Sequence, residues 1–210
     1  AVRRAKGGGD SIMRGYNASC TRNDILGLFC YSGGDQPENS FMDGSSTAVL
    51  SLVDTGLPPE VKKLATGFGG GVGLYVDTCG SITGAILAVS AVHGRSKLPD
   101  GADPKEVAKK SGKQFYGRPG VYRIFNQIPN RFADKFGNTL CRELTKDWQS
   151  SWLCKEHALF CRELITEAAG IAAELIMTDW ETAASKPFGR NVEHLKDDDA
   201  AACSLDNKGT

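Results

Sequence analysis

Where apolar positions along the chain show any order, they recur at helical spacing, three and four residues apart. The first forty residues show little of it. They are rich in Gly, Asn, Ser and Asp around one apolar island, "DILGLFCY" (24–31), and read as an irregular arm. From about Ser45 the pattern turns helical. "SSTAVLSLVDTG" ends on Gly56, a residue suited to a C-cap. "LPPEVKKLATGF" opens with prolines that fit a helix start and runs into glycines. "DTCGSITGAILAVSAVHG" predicts a helix begun by Asp77 or Thr78 as N-cap and stopped near Gly94. "DPKEVAKKSGKQFYG" predicts an exposed, charged helix, and "VYRIFNQIPNRFADKFG" a helix interrupted around Pro129. A long amphipathic stretch runs from Ser151 to about Thr182, and "DDDAAACSLDNKGT" has the character of a solvated tail. No alternating strand pattern occurs. The expected fold is all-α, a helical bundle over residues 41–182 with an irregular N-terminal arm (1–40) and a C-terminal tail (183–210).

Length and charge narrow the functional classes. A chain of 210 residues suffices for one packed domain with extensions. Its 25 basic and 25 acidic residues balance, so no overall field recruits nucleic acid or an anionic membrane. The absence of an eighteen-residue apolar run argues against a membrane span. "AVRRAKGGG" is followed by no apolar stretch, so it is not itself a signal peptide, although a chain trimmed of one would begin similarly. The glycine-rich loop at 67–73 raises nucleotide binding, but the dinucleotide fingerprint fails in register: Val72 stands where the third glycine belongs. With three histidines and carboxylates scattered over helix surfaces, a hydrolase built on a general base has little to work with.

Seven cysteines change the picture: Cys20, Cys30, Cys79, Cys141, Cys154, Cys161 and Cys203. The odd count leaves at least one unpaired within the chain. At about 100° per residue, Cys154, His157 and Cys161 fall within roughly 60° of each other, on the stripe of Leu164, Ala168, Ala172 and Leu175. One reading makes these thiols small core residues. The other notes that two thiols and an imidazole converging on one point suit zinc or an iron–sulfur cluster. Cys141, ahead of a short loop, can fold back as another ligand. Cys79 falls in the first turn of its helix, where exposed N–H groups and the macrodipole favour a thiolate. Gly80, Gly84 and Ala88 then form a stripe that admits another backbone, or a bulky cofactor, at close range. Cys20 and Cys30 are candidates for a disulfide worth about 2–4 kcal/mol, which would imply an oxidising compartment. Cys203 reads as free or paired with another chain.

Three segments carry a resemblance: "LATGFGGGVG…DTCGSITGAILA", "FADKFGNTLCREL" and "CRELITEAAGIAAELI". From about Ser45 to Ile176 the chain resembles a redox-active family defined by spaced cysteines and a Cys-Gly-Ala-x-x-Gly motif. The same module resembles the iron–sulfur-bearing part of split-Soret cytochromes. The resemblance places the family's later three cysteines on Cys79, Cys141 and Cys161, and its motif on residues 79–84 with Ser81 in place of alanine. The family's first cysteine falls near Ser45 or Ser46, where no cysteine stands; Cys154 is the candidate to replace it and Cys30 the runner-up. No Cys-x-x-Cys-His occurs, so covalent haem is not expected, although His93 or His157 can serve a non-covalent group or a partner's haem. The expected function is that of a non-enzymatic electron-transfer protein. In it Cys79, Cys141, Cys154 and Cys161 hold an iron–sulfur cluster, with Gly80, Gly84 and His157 beside it. A redox partner protein, a homo-oligomer and an exported or periplasmic location go with that reading, a cytoplasmic one being the alternative. Two other functions stay open: a thiol–disulfide protein with Cys79 as the reactive thiolate, resolved by Cys141 or Cys161, and a structural or assembly subunit that has lost the redox centre.

Overall fold

A computed structural model describes residues 55–195. The arm with Cys20 and Cys30, the predicted helix up to residue 54, and Cys203 in the tail lie outside the described residues. Within them the chain is all-α, as its periodicity predicts. Six α-helices follow one another: α1 (Gly80–His93), α2 (Pro104–Tyr116), α3 (Val121–Phe136), α4 (Cys141–Leu144), α5 (Lys155–Met177) and α6 (Trp180–Ala184). "PEVKKLATGF" closes as a 3₁₀ segment, Pro59–Phe68, with prolines at its start. Among the described residues the nearest thing to a sheet is one antiparallel bridge, Thr78 with Leu140.

The 23-residue α5 is the spine. It buries Leu164, Ile165, Ala168, Ala169, Ile171, Ala172, Leu175 and Ile176, the i, i+3, i+4 pattern of a helix face turned to a core. Its alanines meet the equally small face of α1, which buries Ser81, Ile82, Gly84, Ala85, Ala88 and Val89. Small side chains on both faces favour close approach of the two backbones. His93 locks the far end of that pair, its Nε2 donating to the Leu175 carbonyl at 3.0 Å. This buried histidine is a structural tie, remote from the cysteines.

Two expectations about helix bounds are corrected. Helix α3 runs unbroken through Pro129. The missing N–H and ring clash cost about 3 kcal/mol, yet Ile124, Ile128 and Phe132 on either side are fully buried, each worth about 1.5–3 kcal/mol. Core burial outweighs the proline. The long amphipathic stretch, predicted as one helix from Ser151 to Thr182, starts later at Lys155 and stops at Met177. Asp179 then caps α6 by accepting the Thr182 N–H at 2.9 Å. Beyond Ala184 the chain stays on the bundle. Arg118 Nε donates to the Ser185 carbonyl and Asn126 accepts the Gly189 N–H, at 2.8 and 2.7 Å. The buried Arg123 guanidinium donates to the carbonyls of Tyr116, Gly117 and Lys186 and lies over the Phe188 ring.

The charged helix α2 is present and buries no residue. Its start is a reciprocal cap: Asp103 accepts the Glu106 N–H at 2.9 Å, and Glu106 accepts that of Ala102 at 2.7 Å.

Candidate redox site

The segment between the 3₁₀ turn and α1 has a backbone of unusual hand. Gly70, Gly71, Val72, Gly73 and Leu74 have φ between 58° and 67°, and Val76 has φ of 54°. An L residue costs about 1–2 kcal/mol in this conformation, and glycine supplies three of the six positions without that cost. The turn is held by backbone bonds, Leu74 N to Gly69 O and Val76 N to Gly70 O, each 2.9 Å. Its effect is to bring residues 76–79 alongside residues 139–142. There Cys79 N donates to Thr139 O at 2.9 Å, Cys141 N to Asp77 O at 2.6 Å, and Arg142 N to Val76 O at 3.0 Å. The two cysteines thus leave adjacent strands of backbone at the heads of two helices.

Cys79 is the N-cap of α1, one position past Thr78 and two past Asp77, the caps expected from sequence. Cys141 is the first residue of α4. Both are only 6 % exposed. From the far side, α5 contributes Cys161 one turn after His157, and Cys154 as its N-cap. All four thiols line one cavity of 240 Å³, together with Gly69–Gly71, Gly80, Ser81, Thr145, Trp152, His157 and the apolar Leu164 and Ile165. The structure therefore brings together the four cysteines singled out in the sequence, with Gly80 and His157. Gly84 is buried along α1 and is not among the cavity-lining residues. Among the described residues, no three His, Cys, Asp or Glu side chains are set to hold one metal ion. The thiols surround a space instead of meeting at a point.

The sulfurs of Cys79, Cys154 and Cys161 have polar neighbours, and Cys141 is held through its carbonyl. Cys79 Sγ lies 3.1 Å from Ser81 Oγ, so the serine that replaces the motif's alanine sets a hydroxyl against this thiol. Thr145 Oγ1 donates to the Cys141 carbonyl at 2.7 Å, holding the first turn of α4. Cys154 Sγ accepts the His157 N–H at 3.4 Å, and Cys161 Sγ lies 3.3 Å from His157 Nε2. Burial pushes the Cys141 thiol up, reinforced by Cys79. Burial, then the neighbouring Cys79 and Cys141, pushes Cys161 up to about 12. These couplings place Cys79, Cys141 and Cys161 within electrostatic reach of one another.

A pH dependence follows for the metal-free folded chain. An unfolded Cys161 loses its proton near 9.0, whereas the folded one keeps it to about 12. Between those values the native state binds more protons than the unfolded one, so stability falls as pH rises. Alkylation of folded Cys161 is expected to stay slow at about pH 8, because the thiol is a poor nucleophile beside the thiolate. Labelling as fast as in urea would contradict this.

Thr145, Trp152 and Leu153 at the cavity were missed from sequence, and nothing in their local pattern marks them. The left-handed turn did leave a signal, the run "GGGVG". A family model described as "Putative redox-active protein (C_GCAxxG_C_C)" matches residues 45–175, more than half of the chain. No curated protein and no solved structure matches the chain.

Proposed function

Because the chain belongs to this redox-active cysteine-motif family, we propose that it carries electrons on an iron–sulfur cluster held in the cysteine-lined cavity. One observation carries the reading: four thiols from three segments, the heads of α1 and α4 and the first turns of α5, line a single space. Thiolates are the donors that iron–sulfur clusters take. A thiol-lined cavity of 240 Å³ has room for a multi-iron group. The resemblance of the motif to the iron–sulfur part of split-Soret cytochromes supports the same choice.

The residues present fit the group by donor type, thiols and one imidazole around one space. Burial holds the protons on Cys141 and Cys161, so loading would release them and iron uptake would rise with pH. Cys79, Cys141 and Cys161 would hold the cluster, with a fourth ligand from the turn Cys154–His157. The cluster supplies one-electron exchange with a partner protein. The chain supplies orientation, through the backbone pairing of 76–79 with 139–142, and exclusion of water, through Leu164, Ile165 and Trp152. Burial and hydrogen bonds to sulfur, Ser81 among them, set the potential.

Anaerobic purification tests this. Stoichiometric iron and acid-labile sulfide are expected, with visible absorption that bleaches on reduction. A protein without iron or sulfide after anaerobic reconstitution would end the proposal. The thiol–disulfide alternative, with Cys79 attacking and Cys141 or Cys161 resolving, has less support, since burial keeps both candidate resolving thiols protonated. It predicts colourless protein whose alkylation changes by pairs of thiols between reduced and oxidised forms.

A further inference from the structure

We propose that His157, through Nε2, is the fourth ligand of the cluster in place of Cys154; the inference rests on the iron–sulfur reading above. Three observations converge on it. First, the tautomer is fixed. His157 Nδ1 lies 2.5 Å from the Trp152 carbonyl oxygen, which only accepts, so Nδ1 carries the proton. In the neutral ring Nε2 then presents a bare lone pair, and that nitrogen lies 3.3 Å from Cys161 Sγ. Metal-bound histidines commonly donate their other ring N–H to a carbonyl in this way, which fixes the ring and raises the basicity of the ligating nitrogen.

Second, the ring is held rigid at the cavity wall. It is 5 % exposed, stacked on Trp148 with centroids 5.8 Å apart and planes at 21°, and meets Trp152 edge-on at 4.4 Å. A buried imidazole with an aromatic on two sides has little freedom to turn its lone pair elsewhere. Third, Cys154 is engaged in another task. It is the N-cap of α5 and, unlike Cys79 at the head of α1, its sulfur accepts a helix N–H, that of His157. The site that results is Cys79, Cys141, Cys161 and His157. On loading, the Cys161 thiol loses its proton to solvent, which frees both its sulfur and the Nε2 lone pair for iron. One neutral imidazole in place of a thiolate removes a negative charge, and the reduction potential rises accordingly.

The test uses the full chain, loaded with iron and sulfide anaerobically and reduced with dithionite. Pulsed electron paramagnetic resonance of the wild type is expected to show strong hyperfine coupling to a directly bound nitrogen. Cys154→Ser should keep its iron and that coupling. His157→Cys, which restores a thiolate at the position, should keep its iron, lose the coupling and shift the potential to lower values. Far-UV circular dichroism shows whether each variant has folded, and the wild-type spectrum needs no variant at all. Absence of nitrogen coupling in iron-loaded wild type, or loss of iron in folded Cys154→Ser, would overturn the inference while leaving the cluster standing. Wild type that takes up no iron would instead overturn the reading beneath it.

Discussion

Cys79→Ser is expected to yield a protein that purifies anaerobically without iron and without colour. The sulfur it removes comes from the N-cap of α1, in the motif that defines the family. Serine keeps the shape but supplies a hard, protonated oxygen to a metal that prefers thiolate. Loss of an outer-shell partner alone typically costs about 10–100-fold in metal affinity, and loss of a ligand should exceed that. The apo-protein should also unfold at lower temperature than the loaded wild type, since metal binding adds its free energy to folding. Cys203→Ser, outside the described residues, should keep both iron and colour. The measurements are iron and sulfide content, the visible spectrum and the thermal midpoint. A Cys79→Ser protein with the wild-type spectrum would show that this thiol does not hold the cluster.

The fold was legible from sequence because helical periodicity needs only local information. The small-residue stripe of α1, the apolar stripe of α5 and the exposed, charged character of α2 could be read directly along the chain. Pro129 misled for a physical reason. Proline propensity is local, whereas the burial of Ile124, Ile128 and Phe132 that overrides it depends on where α5 and α1 lie. The candidate site was legible as a set of residue types, and Cys154, His157 and Cys161 do share one wall of the cavity. The opposite wall was implied by the family resemblance and was not legible in helical periodicity. Cys79 and Cys141 are sixty-two positions apart, and they become neighbours through backbone bonds between residues 76–79 and 139–142. No side-chain pattern announces those bonds. They depend on a turn of left-handed residues whose glycines invite a phosphate-binding reading instead. The His157 proton is a similar case, since its position on Nδ1 depends on the Trp152 carbonyl, visible only once the turn before α5 is folded.

That left-handed turn leads to the second large effect, at Gly71. Alanine there is expected to cost about 2–5 kcal/mol, a backbone term of about 1–2 for an L residue at positive φ and the rest from overpacking. Gly71 has φ of 67°, and a Cβ built on it falls 2.7 Å from Cys141 Cβ and 2.8 Å from Asp77 N. Neither neighbour yields cheaply. Asp77 N is bonded to Gly71 O at 3.2 Å, and Asp77 O accepts the Cys141 N–H at 2.6 Å. Relieving the clash therefore pulls apart the pairing that sets Cys141 beside Cys79. The thermal midpoint should fall by on the order of 10 °C for a chain of this size, and iron affinity should fall with it. Gly137→Ala is the matched control. Gly137 also has a left-handed φ, 77°, at the C-cap of α3, but a Cβ there meets nothing within 4 Å. It should cost only the backbone term, about 1–2 kcal/mol, and leave iron binding unchanged. Equal losses in the two variants, with iron retained in both, would mean that the turn is strained but does not place Cys141.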